Sequence, residues 1–140
     1  MALPSASPFA TPIHINASNG GLWIYPHHNP TQRTRFHIKG ANWAGFQAQG
    51  CVDQLYRHTI TEYIQFLVAN RFNSVRLPLS GVIVNENMTT GSLCGRYNGW
   101  ASLSILDDVL MRLEAAGIWA VLDMHNLAHP EYNQGLWCGG

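Results

Sequence analysis

The sequence predicts an α/β fold in which parallel strands alternate with helices. Three apolar, β-type runs lie at residues 36–43, 74–78 and 119–124, and two segments with helical spacing of apolar residues separate them. Runs that alternate in this way are typical of βαβ units, whose strands lie side by side in a parallel sheet. We therefore expect three parallel strands and two intervening helices.

The residues at the ends of the three runs distinguish a doubly wound sheet from a closed (β/α)8 barrel. Each run ends near a polar side chain, in order Asn42, Arg76 and His125. In a barrel, successive strands contribute residues to one site at the face where the strands end. No Gly-x-Gly-x-x-Gly loop follows the first run, so a dinucleotide-binding sheet loses its main support. The sequence therefore predicts the first three β/α units of a (β/α)8 barrel, or TIM barrel.

The first 33 residues are predicted to be a lead-in to this pattern. They are rich in Pro, Ser, Asn and Gly, and residues 21–25 have the composition of one short hairpin strand that Pro26 ends. We expect the α/β domain to occupy residues 34–140.

The first helix is predicted from residue 60 to near Asn70. Thr59 precedes the helix and Glu62 lies in its first turn, which is the spacing of a capping box. The apolar residues that then recur on one face are Ile60, Ile64 and Leu67.

A long connection is predicted between the second strand and the second helix. Pro78 is expected to end the strand, and the connection runs from Leu79 to about Leu103. Connections of that length inside compact domains are usually functional. The second helix is expected to start at Ser104 and to stop at Gly117, a natural left-handed residue after a helix. The apolar residues that this helix should bury are Leu106, Val109, Leu110 and Leu113.

Composition limits the classes of partner. The chain of 140 residues is 46% hydrophobic, and only 11% of it is charged, with eight basic and eight acidic residues. This balance gives no electrostatic attraction to nucleic acid or to an anionic membrane. No run approaches the ~20 apolar residues of a membrane-spanning helix, and residues 1–12 show no signal peptide. A neutral partner such as a sugar suits this composition better.

The cysteines and histidines match no metal site. Cys51, Cys94 and Cys138 have no zinc-motif spacing, and any two of them can bond in an oxidising compartment, so their connectivity stays open. His125 and His129 have the spacing of helical zinc ligands, but they follow a strand and a proline comes next. We therefore predict neither a metal nor a cofactor.

Arg76 and His125 are the main candidates for chemistry. Period-two alternation puts Ser74, Arg76 and Pro78 on one side of the second strand, and Asp123 and His125 on one side of the third. In a barrel mouth, a guanidinium can hold a carboxylate ionised, and a histidine can donate to a sugar hydroxyl. The structural alternative is that Arg76 pairs with a core acid and that His125 is a satisfied histidine at a strand end.

Several segments, taken in order, resemble glycoside hydrolase family 5, which includes the endoglucanases. They are residues 39–46 (KGANWAGF), 72–80 (FNSVRLPLS), 102–107 together with Gly117, 121–125 (VLDMH) and 135–137 (GLW). The segment at 72–80 is the most specific of these. The resemblance extends from about Phe36 to Trp137, with the segments correctly spaced.

The resemblance implies a (β/α)8 barrel that hydrolyses β-glycosidic bonds with retention, by two glutamates. It implies that Arg76 contacts the nucleophile, that His125 is an active-site histidine, and that Asn42 and Trp43 lie near the sugar-binding cleft. Trp137 is assigned to the same cleft, since sugar rings stack on aromatic side chains. The implied partner is a β-glucan or a related polysaccharide, and the implied location is extracellular.

Two departures from the family pattern affect these expectations. The family's two catalytic glutamates end strands four and seven, which lie beyond Gly140, so the chain alone is expected to be inactive. Arg71 stands where the family often has glycine, and we expect Asn70 to supply the left-handed turn instead. Two alternatives stay open: a non-catalytic carbohydrate-binding or self-assembling shortened barrel, which would associate through open sheet edges, or a piece of a longer reading frame.

Overall fold

The structure, a computed structural model, describes residues 13–126. The strands are β1 (Ile13–Ser18), β2 (Gly21–Pro26), β3 (Thr34–Phe36), β4 (Gly40–Asn42), β5 (Ser74–Ser80) and β6 (Trp119–Asn126). The helices are α1 (Phe46–Gln49), α2 (Ile60–Ala69), α3 (Gly81–Glu86) and α4 (Ser102–Ala115). Within these residues the strands form two sheets, with orders β1-β2-β3 and β4-β5-β6. The second sheet is parallel, so the predicted α/β class is confirmed for this part of the chain.

The N-terminal residues form three antiparallel strands, where the sequence had predicted one hairpin strand. β1 and β2 pair along their whole length, and β3 pairs with β2. The turn between β1 and β2 is Asn19–Gly20, whose φ angles are 50° and 68°. Two consecutive positive φ angles are what a tight two-residue hairpin requires, and Asn-Gly is the favoured sequence for it.

The predicted first parallel strand, residues 36–43, is wrong in extent. Phe36 ends β3 of the antiparallel sheet, and only residues 40–42 pair with β5. The side chain of Asn73 accounts for the break. Its Nδ2 donates to the His37 carbonyl (2.7 Å), and its Oδ1 accepts from the Lys39 N–H (2.8 Å). These bonds replace strand pairing over the intervening residues.

β5 continues through Pro78 to Ser80, two residues beyond its predicted end. The Arg76 carbonyl accepts from the Trp43 N–H (2.9 Å), so alternate residues of β5, Pro78 among them, direct their backbone groups toward β4. β4 has already ended at Asn42, opposite Arg76. The bond that proline cannot donate is therefore on the β4 side, beyond the last paired residue of β4, and pairing with β6 continues on the other side.

The first predicted helix is confirmed as α2, with the capping box at its start. The Thr59 N–H donates to Glu62 Oε2 (2.6 Å), and the Glu62 N–H donates to Thr59 Oγ1 (3.2 Å). The bonds that Thr59 donates to the carboxylate, from its backbone N–H first and then from its hydroxyl, hold the pKa of Glu62 below its ordinary value. The predicted apolar residues Ile60, Ile64 and Leu67 are buried.

The second predicted helix, α4, begins at Ser102, two residues earlier than expected. The connection before it supplies the partners of its first turn. The Leu103 N–H donates to Asn87 Oδ1 (2.9 Å), and the Ser102 N–H donates to the Met88 carbonyl (2.9 Å). A cap that comes from so far back in the chain leaves no local signature. The buried apolar residues of α4 are Ile105, Leu106, Val109 and Leu113, whereas Leu110 is only partly buried. No helix within residues 13–126 is long and apolar enough to cross a membrane.

The long connection contains regular structure and is attached to the rest of the protein by a disulfide. It holds α3 and a 3₁₀ segment (Ser92–Tyr97), neither of which was predicted. Cys94 in that segment bonds to Cys51, and both residues are fully buried. This settles for these two cysteines the connectivity that the sequence left open, while Cys138 lies outside the described residues.

A polar network joins the end of the connection to the two main helices. The Tyr97 hydroxyl donates to Asp108 Oδ2 (2.5 Å), Arg112 Nε donates to Asp108 Oδ1 (2.8 Å), and Arg112 Nη1 donates to Thr61 Oγ1 (2.9 Å). Burial, followed by the bond to Asp108, raises the pKa of Tyr97. Burial acts to raise the pKa of Asp108 as well, but the bonds from Arg112 and Tyr97 outweigh it and lower that pKa.

Arg71, rather than Asn70, adopts the left-handed conformation after α2, so that expectation was wrong. Asn70 has φ −94° and Arg71 has φ 58°. The Arg71 N–H donates to the Val68 carbonyl and the Phe72 N–H to the Leu67 carbonyl, which is the Schellman pattern. In that pattern the left-handed residue follows the C-cap, and the C-cap here is Asn70. The same motif ends α4, where the left-handed residue is Gly117 (φ 71°).

We expect Arg71→Gly to stabilise the fold slightly. A non-glycine residue in the left-handed region is strained by about 1–2 kcal/mol, which glycine relieves. Glycine is also freer in the unfolded chain, and this offsets about 0.5–1 kcal/mol of the gain. The free energy of unfolding, from urea denaturation, should therefore rise by about 0.5 kcal/mol. Gly117→Ala, at the equivalent position of α4, should lower it by about 1 kcal/mol. A loss of stability in Arg71→Gly would mean that the exposed arginine makes contacts that outweigh its strain.

The apolar core lies where α2 and α4 meet the parallel sheet. β5 contributes Val75, Leu77 and Leu79, all buried. β6 is different, because its apolar residues Val121 and Leu122 are 48% and 51% exposed. Within the described residues β6 pairs only with β5, so it is an open edge with apolar side chains on both faces.

Candidate active site

Polar side chains from all three parallel strands meet at one end of the sheet. Asn42 ends β4, Arg76 lies in β5, and Asp123 and His125 lie near the end of β6. Hydrogen bonds join the four residues, which we call the polar cluster. The three strands run in the same direction and lie side by side, so three chain segments far apart in sequence deliver side chains to one place.

Arg76 is the centre of the polar cluster. Its Nη1 donates to Asn42 Oδ1 (2.7 Å), and its Nη2 donates to Asp123 Oδ2 (2.5 Å). The same Nη2 lies 3.2 Å from His125 Nδ1. Arg76 and His125 thus lie close enough to share a ligand, as alternation along the strands predicted.

Asp123 is the member of the cluster that sequence reasoning did not select as a site residue. Its Oδ2 contacts both Arg76 Nη2 and His125 Nδ1, the latter at 3.1 Å. The signal was available, because alternation put Asp123 on the same side as His125 and an acid inside an apolar strand is unusual. The structural alternative for Arg76 is correct in part: it does pair with an acid, but that acid is not in the core.

The polar cluster is open to solvent. The side chains of Arg76, Asp123 and His125 are 42%, 31% and 48% exposed. Ion pairs with this exposure contribute about 0–1 kcal/mol to stability, since water screens them. The cluster therefore contributes little to the stability of the fold, and its polar groups are accessible to a ligand.

The cluster offers complementary groups to such a ligand. A guanidinium has five N–H donors, and the bonds to Asn42 and Asp123 use two of those on Arg76. The second ring nitrogen of His125 and the Nδ2 group of Asn42 add further hydrogen-bonding capacity. Hydroxyl groups, which donate and accept, match this set, and an anion would find a fixed positive charge at Arg76.

Trp43 does not join the polar cluster. Its ring lies 5.1 Å from the ring of Tyr63, centroid to centroid, and it packs against the core at the start of the segment that leads to α1. Together with Phe66 of α2 it lines a mainly apolar cleft of about 210 Å³. The role of Trp43 in sugar binding stays a prediction. Trp137, the other aromatic residue predicted to bind sugar, lies outside the described residues.

No set of three or more His, Cys, Asp or Glu side chains converges as a metal site within residues 13–126. The spacing of His125 and His129 cannot be followed further, because His129 lies beyond that range.

Comparison with known proteins identifies a similar family. The chain matches the model of the cellulases (glycosyl hydrolase family 5) over residues 31–138. No curated protein gave a significant match.

Solved structures share the fold. One is an endocellulase from Pyrococcus horikoshii in complex with cellotetraose: 23% identity, a TM-score of 0.74, and coverage of 86% of this chain and 33% of that one. Another is the catalytic domain of the major endoglucanase from Xanthomonas campestris pv. campestris: 27% identity, a TM-score of 0.60, and coverage of 68% and 29%. The chain thus spans about a third of the length of the solved structures that it matches.

Proposed function

Since the chain belongs to the cellulases of glycosyl hydrolase family 5, we propose that it is the first part of a (β/α)8 catalytic barrel whose enzyme hydrolyses a β-glucan with retention. The described strands β4, β5 and β6 are then the first three of the barrel. The resemblance assigns the two glutamates of the reaction to later strands.

The position of Arg76 carries this proposal. Sites in barrels form at the face where the strands end, and the polar cluster contains the last residue of β4 and two residues from the second half of β6. A retaining glycosidase needs an ionised carboxylate as nucleophile, and a guanidinium nearby favours that charged form. Asn42 and Asp123 each accept one bond from Arg76 and so hold its guanidinium at the strand ends, beside His125. We propose that Arg76 stabilises the negative charge of the nucleophile, and that Asn42 and His125 form hydrogen bonds with sugar hydroxyls.

We base the substrate class on family membership and on the zero net charge of the chain. The Pyrococcus endocellulase was solved with cellotetraose, a β-linked glucose oligomer. Hydroxyl groups are the chemical match to the polar cluster, and the chain carries equal numbers of acidic and basic residues. We therefore propose a β-glucan as substrate. The Cys51–Cys94 disulfide supports an extracellular location, since disulfides persist in oxidising compartments.

A titration with oligosaccharides tests the proposed ligand. We expect cellotetraose to shift the side-chain NMR signals of Asn42, Arg76 and His125, and maltotetraose, the α-linked oligomer of equal length, to shift them much less. Arg76→Ala should abolish the response, whereas Arg33→Ala, in the N-terminal residues over the Tyr25 ring, should retain it. Equal responses to the two oligomers, or a response that survives Arg76→Ala, would refute the assignment.

The chain by itself should bind without turnover. Protonation of the leaving group and formation of a covalent intermediate each need a carboxylate, and we place neither on this chain. An assay on a soluble β-glucan should therefore show no release of reducing ends. Hydrolysis that disappears in Arg76→Ala would contradict this and would require a catalytic carboxylate within the 140 residues.

One observation favours a second candidate, a self-associating carbohydrate-binding protein. Among residues 13–126, β6 pairs on one side only, and Val121, Leu122 and Met124 of this strand are exposed. Unpaired edges of this kind add strands from other chains. Size-exclusion chromatography of the chain separates the candidates: a discrete oligomer that still binds cellotetraose supports the second, and a species that forms only ill-defined aggregates argues against it.

A further inference from the structure

The imidazole of His125 lies between a carboxylate and a guanidinium. Its Nδ1 is 3.1 Å from Asp123 Oδ2 and 3.2 Å from Arg76 Nη2. A neutral imidazole carries one N–H, and which nitrogen holds it decides which nitrogen accepts. The two neighbours of Nδ1 favour opposite states of this atom. Asp123 can only accept, so it favours a protonated Nδ1, whereas Arg76 can only donate, so it favours an unprotonated one.

The carboxylate of Asp123 has the larger influence on whether Nδ1 is protonated. If Nδ1 lacked a hydrogen, its lone pair would face a negatively charged oxygen at 3.1 Å, and two acceptors in contact repel. Arg76 does not depend on Nδ1 as an acceptor, since its Nη2 already donates to Asp123 (2.5 Å) and its Nη1 to Asn42 (2.7 Å). Its charge is also spread over three nitrogens, whereas the charge of Asp123 lies on two oxygens.

The geometry points to Asp123 as a positioning residue that holds neutral His125 in the form protonated at Nδ1. The Nε2 atom, across the ring from Asp123, is then an acceptor. A sugar hydroxyl that reaches this half-exposed ring donates its hydrogen to Nε2 rather than receiving one. The sugar in this statement rests on the proposed function, whereas the protonated nitrogen does not.

Asp123 in this way assigns different roles to its two neighbours. It occupies one donor of Arg76 and leaves others for an anion, and it makes the second ring nitrogen of His125 an acceptor. One strand, β6, supplies both the histidine and the group that sets its hydrogen-bonding sense, two residues apart on the same face.

The test is to identify the protonated ring nitrogen by NMR. Two-bond ¹⁵N–¹H correlations of the full chain, followed to about pH 8.5 where imidazoles are neutral, should show His125 protonated at Nδ1. Asp123→Ala should move the proton to Nε2, because Arg76 then becomes the neighbour that Nδ1 faces. Asp123→Glu, which keeps the charge, should restore Nδ1 protonation at least in part. Asp53→Ala, a carboxylate outside the polar cluster, should change nothing.

The outcomes separate the inference from the function on which its ligand rests. Protonation at Nε2 in the wild-type chain overturns the inference, and this spectrum needs no variant to fold. A proton that stays on Nδ1 in a folded Asp123→Ala variant overturns it too. Nδ1 protonation that follows Asp123, together with an Nε2 signal that cellotetraose leaves unchanged, supports the positioning role and refutes the proposed ligand.

Discussion

Gly95→Ala is expected to destabilise the protein by about 3–5 kcal/mol. Gly95 has φ 59° and ψ −122°, a conformation that strains residues with a side chain. A Cβ added there would lie 2.2 Å from the Leu55 carbonyl oxygen and 2.8 Å from its carbon, both backbone atoms that cannot rotate away. Backbone strain and overpacking each cost about 1–3 kcal/mol, and here they act together.

Gly99→Ala is the matched control for this change. Gly99 belongs to the same connection and has φ 83°, but a Cβ there would meet no atom within 4 Å. Gly99→Ala should lower the free energy of unfolding by only about 1 kcal/mol, because it adds backbone strain but no steric clash. Urea denaturation followed by tryptophan fluorescence measures both variants. Equal losses in the two would show that the contact between Gly95 and Leu55 does not hold in solution.

Removal of the Cys51–Cys94 disulfide is expected to cost about 4 kcal/mol. The two cysteines are separated by 43 positions, and cross-links that close loops of this length restrict the unfolded chain by roughly that amount. The double variant Cys51→Ala with Cys94→Ala is the appropriate form, because both residues are fully buried and a polar replacement would add a desolvation cost. The midpoint of urea unfolding should fall accordingly.

Two comparisons make this measurement decisive. The wild-type chain with a reducing agent should approach the stability of the double variant, and the reducing agent should leave the double variant unchanged. Cys138→Ala, which keeps both bonded cysteines, should behave as the wild type. A double variant as stable as the oxidised wild type would mean that these cysteines do not bond in solution.

The sequence predicted the elements whose signals are local. The capping box of Thr59 and Glu62 and the spacing of Ile60, Ile64 and Leu67 located α2, and both features lie within about two helical turns. Alternation gave Arg76 and His125 each a side of its own strand, with a shared ligand expected if both faced the barrel mouth, and the structure brings Arg76 Nη2 within 3.2 Å of His125 Nδ1.

Several errors fall where a distant residue determines the local structure. Asn73 interrupts the first predicted strand from 36 and 34 positions away, and Asn87 caps α4 from 16 positions away. β5 passes through Pro78 while paired with β6 alone, and the sequence of β5 does not show that its pairing with β4 ends at Arg76. Such contacts exist only after the chain has folded, so windows of sequence do not contain them.

The site shows the same division. Arg76 was selected because of its residue type and position, but the role of Asp123 depends on two distances across neighbouring strands. A single sequence shows that Asp123 shares a face with His125; it does not show that one carboxylate oxygen contacts both Arg76 and His125. Partner choice within a polar cluster is thus a property of the assembled sheet.

The Cys51–Cys94 bond also has a topological consequence. The segment it closes contains α2, β5 and α3, so one complete strand with the helix before it and the helix after it lies inside a covalent ring. A protease that cuts the exposed stretch around Asn87 opens the ring without releasing a fragment. The two pieces stay joined and migrate together until a reducing agent separates them, and Arg76 then stays with the N-terminal piece, which carries Cys51.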